Sequence, residues 1–200
     1  MRKLLIATRN KGKIKEIQAE LADFEMEIIG LDETNLPDDY KVEESAMTME
    51  GNAIIKAIIY GNKTNLITLS EDSGLEVDSL DGRPGILSAR YAPGTDEDRY
   101  LKLLDEIKDI PDDERGAQFR AVIAVYDPAA EKIKTCEGIY RGKIIREPRG
   151  DQGFGYDPIF LNEEKNKTNA EMSLEEKNEV SHRGKALQKA KEIIKREFNL

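Results

Sequence analysis

The chain has 200 residues, with 31 Lys plus Arg against 40 Asp plus Glu and a formal net charge of −9. That length buries about 70% of the unfolded chain's surface and supports one domain, or two small lobes sharing a sheet. The acidic balance excludes a nucleic-acid binder that draws its affinity from a basic footprint, but not a small anionic ligand held by a few local cations.

Lys3 to Ala7 reads as a short buried strand. After a polar turn at Thr8 to Gly12, Ile14, Ile17 and Leu21 recur at helical spacing, and Met26 to Leu31 returns as a strand, completing a parallel β-α-β unit. Asp32 to Ser45 is an acidic loop of functional length. A helix is expected from about Glu50 to Asn62, and a strand from Leu66 to Ser70 that ends in the turn Glu71-Asp72-Ser73-Gly74. Asp81-Gly82 is a hairpin-type turn, and Asp96 to Lys108 is helical. Phe119, Ala121, Ile123 and Val125 mark a strand with one favoured face. Lys132 to Glu137 and Ile139 to Ile145 read as two further strands, antiparallel partners. A glycine-rich loop at Gly150 to Gly155 precedes Tyr156 to Phe160, and a last helix starts near Ser181. The expected fold is α/β, a central mixed twisted sheet with flanking helices, in one domain spanning residues 1–200.

No apolar stretch approaches the ~20 residues of a bilayer span, and Leu4-Leu5-Ile6-Ala7, which follows Met1-Arg2-Lys3, is too short for a signal-peptide core. With Cys136 the only cysteine, internal disulfides and zinc sites of paired cysteines are excluded. The expectation is a soluble cytoplasmic protein with no membrane and no nucleic-acid partner.

One His and one Cys also remove most nucleophilic and His-metal chemistry, and no serine sits in a G-x-S-x-G elbow. Carboxylates, lysines, backbone amides and a hard cation remain. Thr8-Arg9-Asn10-Lys11-Gly12-Lys13 lies where a strand feeds a helix, where backbone N–H groups and lysines hold phosphate oxygens; a solvated basic turn is the plainer reading. Glu71 and Asp72 at a strand end suit Mg²⁺ or proton abstraction, with Glu43 and Glu44 within the acidic loop as further donors; a turn capped by Asp72 and Ser73 is the alternative. Adjacent like charges would raise one carboxyl's pKa. Lys56, inside an apolar helix, either snorkels or points inward as a phosphate ligand. Ser181-His182-Arg183 offers donors at a helix start, and Phe154 and Tyr156 either stack on a base or join the core.

Taken in order, Thr8 to Lys13, Glu44 with Thr48, Asn52-Ala53 and Lys56-Ala57, Glu71 to Leu75, Pro84-Gly85 with Ser88 to Arg90, Gly153 to Phe160, and Lys177 with Ser181 to Arg183 resemble the inosine triphosphate pyrophosphatase family. The resemblance runs from about Lys3 to Leu187. It implies two lobes around an active-site cleft, a homodimer, and hydrolysis of ITP, dITP and XTP to the monophosphate and pyrophosphate with Mg²⁺ (Mn²⁺ substituting). Thr8, Arg9, Asn10, Lys11, Gly12, Lys13 and Lys56 would hold the triphosphate. Asp72 would be general base and metal ligand, with Glu44 and Glu71 supporting the cation and Ser73 touching the substrate. Phe154, Gly155, Tyr156, Asp157, Lys177, His182 and Arg183 would frame base and sugar. Arg9, Ala46 and Gly51 depart from the family pattern. The readings this leaves beside it are a pyrophosphatase of modified pyrimidine triphosphates and a noncatalytic nucleotide-binding module.

Overall fold

Leu4, Leu5 and Ile6 are fully buried in β1 (Lys3–Ile6), which pairs parallel to β2 (Glu27–Gly30) on one side and to β3 (Ile67–Val77) on the other. The computed structural model describes residues 2–198, so Met1, Asn199 and Leu200 of the expected domain lie outside the described residues. The crossover between β1 and β2 is α1 (Lys11–Glu20), and the expected parallel β-α-β unit is present. β4 (Gly116–Asp127), β5 (Lys132–Ile144), β6 (Phe160–Asn162) and β7 (Lys167–Thr168) complete a seven-stranded sheet in the order β2-β1-β3-β4-β5-β6-β7. β5 with β6 and β6 with β7 are antiparallel, so the sheet is mixed, as expected. The other helices are α2 (Met49–Thr64), α3 (Asp96–Glu106), α4 (Leu174–Val180) and α5 (His182–Glu197). None of the helices among the described residues is long and apolar enough to cross a membrane.

Three boundaries differ from the sequence reading. The strand expected to stop at Ser70 continues to Val77, so Glu71-Asp72-Ser73-Gly74 lies inside β3 and not in a turn. The segments Lys132 to Glu137 and Ile139 to Ile145 are one strand, β5, which runs through Gly138 and ends at Ile144. The last helix is preceded by α4, whose final turn Ser181 caps. Ser173 announces that helix: its hydroxyl accepts from the Glu176 N–H at 3.1 Å while the Glu176 carboxylate accepts from the Ser173 N–H at 2.9 Å, a reciprocal capping box.

The chain divides into two compact units, one built of the chain through Asp72, Ala121–Gly138 and the chain from Arg183, the other of Ser73–Arg120 and Ile139–His182. In the first, side-chain alternation along the strands serves two layers. Leu4, Ile6 and Leu69 face α1 and α5, where Ile17, Leu21, Leu187, Ala190 and Ile194 are buried. Leu5 and Ala7 face the other way, with Tyr60 of α2. Each such Leu or Ile withdrawn from water contributes about 1.5–3 kcal/mol. In the second unit, Leu75, Val77, Leu103, Ile107, Phe119, Ile159 and Phe160 form the core.

Candidate active site

In the first unit, charged residues meet on both faces of β3. Glu71 follows Leu69 on the α1/α5 face, where its two oxygens accept from Arg183 Nε at 2.6 Å and Nη2 at 2.8 Å. Arg183 Nη1 donates to Glu16, and Lys13 Nζ stands 3.4 Å from Glu71 Oε1. Burial opposes the Arg183 charge, but Glu71 and Glu16 more than offset it and hold its pKa above the ordinary arginine value. Lys13 is largely covered, and desolvation lowers its pKa in spite of Glu71. Glu16, one turn beyond Lys13 on α1, carried no motif signal, although the i, i+3 spacing puts it on the same helix face.

Asp72 lies on the opposite face of β3, toward α2. Met49, Asn52, Ala53, Lys56, Ala57, Tyr60 and Gly61 form the buried face of that helix, so Lys56 points inward and does not snorkel. Its ammonium donates to Glu44 Oε1 at 2.6 Å and to the Glu71 carbonyl at 2.9 Å, and stands 3.9 Å from Asp72 Oδ1. Asn52 Nδ2 donates to Asp72 Oδ2 at 3.1 Å. Asp72 is 7% exposed. Burial pushes its carboxyl above the ordinary Asp value against the pull of Lys56, Lys13 and Asn52, and Glu44 adds to the rise. Desolvation, rather than the adjacent like charge invoked from the sequence, leads that shift.

The basic turn precedes α1. Thr8 Oγ1 accepts from the Asn10 N–H at 3.2 Å, and Asn10 caps the helix by accepting from the Lys13 N–H at 3.0 Å. Arg9 Nη2 donates to the Pro37 carbonyl at 3.1 Å, tying the turn to the acidic loop. Lys11 is exposed and Gly12 half-buried. The turn therefore presents backbone N–H groups and Lys13 at a helix N-terminus, a fit for phosphate oxygens.

Mg²⁺ usually takes one or two protein carboxylates and completes its shell with water and phosphate oxygens. Glu44 and Asp72, which share Lys56, supply such a pair of hard oxygen donors. Glu71 has both oxygens directed at Arg183. Among the described residues no group of three or more His, Cys, Asp and Glu gathers as a cage. The donor set fits a cation completed by a phosphate ligand, not one held by protein alone.

The second unit holds Ser73, Phe154, Gly155, Tyr156, Asp157, Lys177 and His182. Asp157 is its polar centre. One oxygen accepts from Lys177 Nζ at 2.5 Å and from the Phe154 N–H at 2.8 Å, and the other from Asn169 Nδ2 at 3.2 Å. Lys177 Nζ lies 5.0 Å over the Phe154 ring, a cation–π contact. Gly153 has φ +78°, and a Cβ there would stand 2.1 Å from Asp157 Oδ2, so the loop requires glycine. The Gly155 N–H donates to Asp96 at 2.7 Å. Tyr156 is buried, and its hydroxyl donates to the Ser88 carbonyl at 2.9 Å, which makes it core rather than an exposed stacking ring. His182 is buried with its ring stacked on Phe119 at 4.7 Å. Ser73 is half-buried in β3.

The sequence reading missed Glu16, Asn52, Asp96 and Asn169 as partners of these groups. Asn52 stood inside the motif Asn52-Ala53 with Lys56-Ala57, and its place one turn before Lys56 on the same helix face was its signal.

The Ham1 family model matches residues 4–193. A dITP/XTP pyrophosphatase of Geobacter sulfurreducens is 47% identical over 189 residues, 94% of this chain and 94% of its own. One of Bacillus subtilis is 42% identical over 196 residues, 97% of this chain and 98% of its own. The solved structure of a HAM1 protein from Coxiella burnetii matches at TM-score 0.86 and 39% identity, covering 98% of this chain and 99% of that one. These matches agree with the resemblance carried by the motifs, and the chain belongs to the Ham1 family.

Proposed function

We propose that this protein hydrolyses nonstandard purine nucleoside triphosphates (ITP, dITP and XTP) to the monophosphate and pyrophosphate, and so clears them from the nucleotide pool. The observation that supports this most is the set Asp72, Glu44, Lys56 and Lys13: a buried carboxylate flanked by a second carboxylate and two ammonium groups. A carboxylate pair alone also serves glycosyl chemistry, but two ammonium groups beside it suit an attack at phosphorus, which needs charge neutralisation and an oriented water.

Thr8, Asn10, Gly12 and Lys13 at the start of α1 hold the triphosphate, with Lys56, Lys11 and Arg9 adding positive field. Glu44 and Asp72 would hold Mg²⁺, which would supply neutralisation of the phosphate charge. Asp72 takes a proton from the attacking water; a P–O bond to that water forms as the phosphoanhydride between the α and β phosphates breaks, and pyrophosphate leaves. Glu71 keeps Arg183 and Lys13 in place, and Ser73 touches the substrate beside Asp72.

Base and sugar fall to Phe154, Gly155, Asp157, Lys177 and His182. Arg183 directs three donors at Glu16 and Glu71, and Lys177 with the N–H groups of Phe154 and Gly155 is turned to Asp157 and Asp96, so the reading of the 6-carbonyl of hypoxanthine or xanthine falls to His182. Adenine would place its amino group against that donor, and an unpaired buried donor rejects strongly. The protein works as a homodimer in the cytoplasm, which size-exclusion chromatography and localisation test.

A panel of ITP, dITP, XTP, ATP, GTP and dUTP, read separately for pyrophosphate and orthophosphate in Mg²⁺ and in EDTA, tests the reading. Pyrophosphate from the first three, only with metal, is expected. Orthophosphate alone removes the reaction class, and rapid ATP or GTP hydrolysis with ITP untouched removes the selectivity. A preference for dUTP moves the substrate to pyrimidines.

A further inference from the structure

Asn52 is 1% exposed in the first turn of α2, on the buried face of that helix, a place where its amide has a cost on two counts. Asn is a poorer helix former than the residues around it, and a buried amide must find partners for both ends. Both ends are partnered. Oδ1 accepts from the Ala46 N–H at 3.0 Å, and Nδ2 donates to Asp72 Oδ2 at 3.1 Å. Because the oxygen end must face an N–H donor, the amide has one orientation, and its NH₂ is aimed at the carboxylate. One helical turn later Lys56 approaches the other oxygen of Asp72 at 3.9 Å and grips Glu44. Ala46 lies two residues after Glu44 in the acidic loop.

We propose that Asn52 is a positioning residue, which fixes the rotation of the Asp72 carboxylate and locks it in register with the loop that carries Glu44. The proposal rests on the pyrophosphatase reading above and assigns Asn52 no contact with substrate. The amide spans the only two carboxylates assigned to the metal: it touches one directly and the other through the backbone of its loop. Without it the Asp72 carboxyl turns about its last side-chain bond, and the loop loses an anchor at 46. Both carboxylates then have to be reordered each time metal and phosphate arrive. Such supporting hydrogen bonds are commonly worth 10- to 100-fold in metal affinity or activity.

The test uses the full-length protein and two readouts. In Asn52→Ala, kcat for ITP should fall roughly 10- to 100-fold with KM little changed, because the groups that bind the triphosphate at α1 are untouched. Mn²⁺ binding to the complex with α,β-methylene ITP, followed by the electron paramagnetic resonance of free Mn²⁺, should weaken by about 10-fold or more. A residue that only staples the fold would lower the melting temperature and leave both values, per folded molecule, at wild type; that result overturns the proposal. Should Asn52→Ala not fold, Ala46→Pro removes the N–H that Asn52 accepts while Ala46→Gly keeps it. The Pro variant should lose kcat and Mn²⁺ affinity where the Gly variant retains them, and equal behaviour of the two overturns the proposal. Wild-type protein that releases no pyrophosphate from any nucleotide would defeat the functional reading instead, and the Mn²⁺ titration would still report on the Asn52 bridge.

Discussion

Replacing Arg183 by Met tests whether the buried cluster on the α1/α5 face is held by charge balance. Arg183 and Lys13 stand against Glu16 and Glu71, two positive charges and two negative, with Arg183 1% and Glu16 3% exposed. Met matches much of the arginine volume but leaves two buried carboxylates facing one ammonium. Breaking a buried pair in this way costs about 3–5 kcal/mol, a large part of the total stability of about 5–15 kcal/mol. For a chain of this size that corresponds to a fall in Tm of roughly 6–20 °C. Adding Glu16→Gln restores one charge of each sign, so the double variant should be more stable than Arg183→Met alone, by about 1–3 kcal/mol. Urea unfolding at pH 7 in EDTA, with m-values shown to be equal, measures both. A double variant no more stable than the single one, or a single variant within about 1 kcal/mol of wild type, would refute the argument from charge balance.

Asp72→Asn should abolish ITP turnover and yet stabilise the fold. The folded pKa of Asp72 lies above its ordinary 3.8, so the folded protein favours the neutral form; stability from that preference is present below 3.8 and lost as pH rises through the folded value. Urea unfolding in EDTA should show the variant ahead of wild type at pH 7 and level with it below pH 3.8. Gly153→Ala, at φ +78° and with its Cβ 2.1 Å from Asp157 Oδ2, should cost about 1–2 kcal/mol from the backbone alone and raise KM for ITP through the displaced Phe154 loop; unchanged stability and KM would contradict the account of that loop. Cys136 is half-buried, and desolvation pushes its thiol up to about 11, so Ellman's reagent at pH 8 should label it slowly in native protein and rapidly in urea.

How much of this was legible beforehand differs between backbone and side chains. The β-α-β start, the helix carrying Lys56 and the turn at Asp81-Gly82 were readable because apolar period and turn chemistry are local. The extent of β3 was not, since Glu71, Asp72 and Ser73 read as turn residues; what keeps them in a strand is Arg183, more than a hundred positions away, and Asn52 on α2. The candidate residues around phosphate were readable as motifs. The partners that orient them, Glu16, Asn52, Asp96 and Asn169, were not, because each is defined by the atom it touches. Arg183 shows the difference best: a helix-start cation in the sequence, it is in the structure the centre of a buried four-charge cluster.

The alternation along β3 also limits how this chain can change its length. Glu71 and Asp72 are neighbours in sequence but serve opposite faces of one sheet, the first Arg183 and Lys13, the second Asn52 and Lys56. Deleting a single residue between Ile67 and Ser70 while the strand keeps its register would turn the carboxylate of Asp72 toward the arginine and carry Ser73 to the face of α2. Substitutions in this stretch are graded in effect, but an insertion or deletion of one residue exchanges the acid that faces Arg183 for the one that faces Asn52 and Lys56. Tolerated changes of length are therefore expected in the turns at either end of β3, and a deletion scan along the strand should find no active variant between those turns.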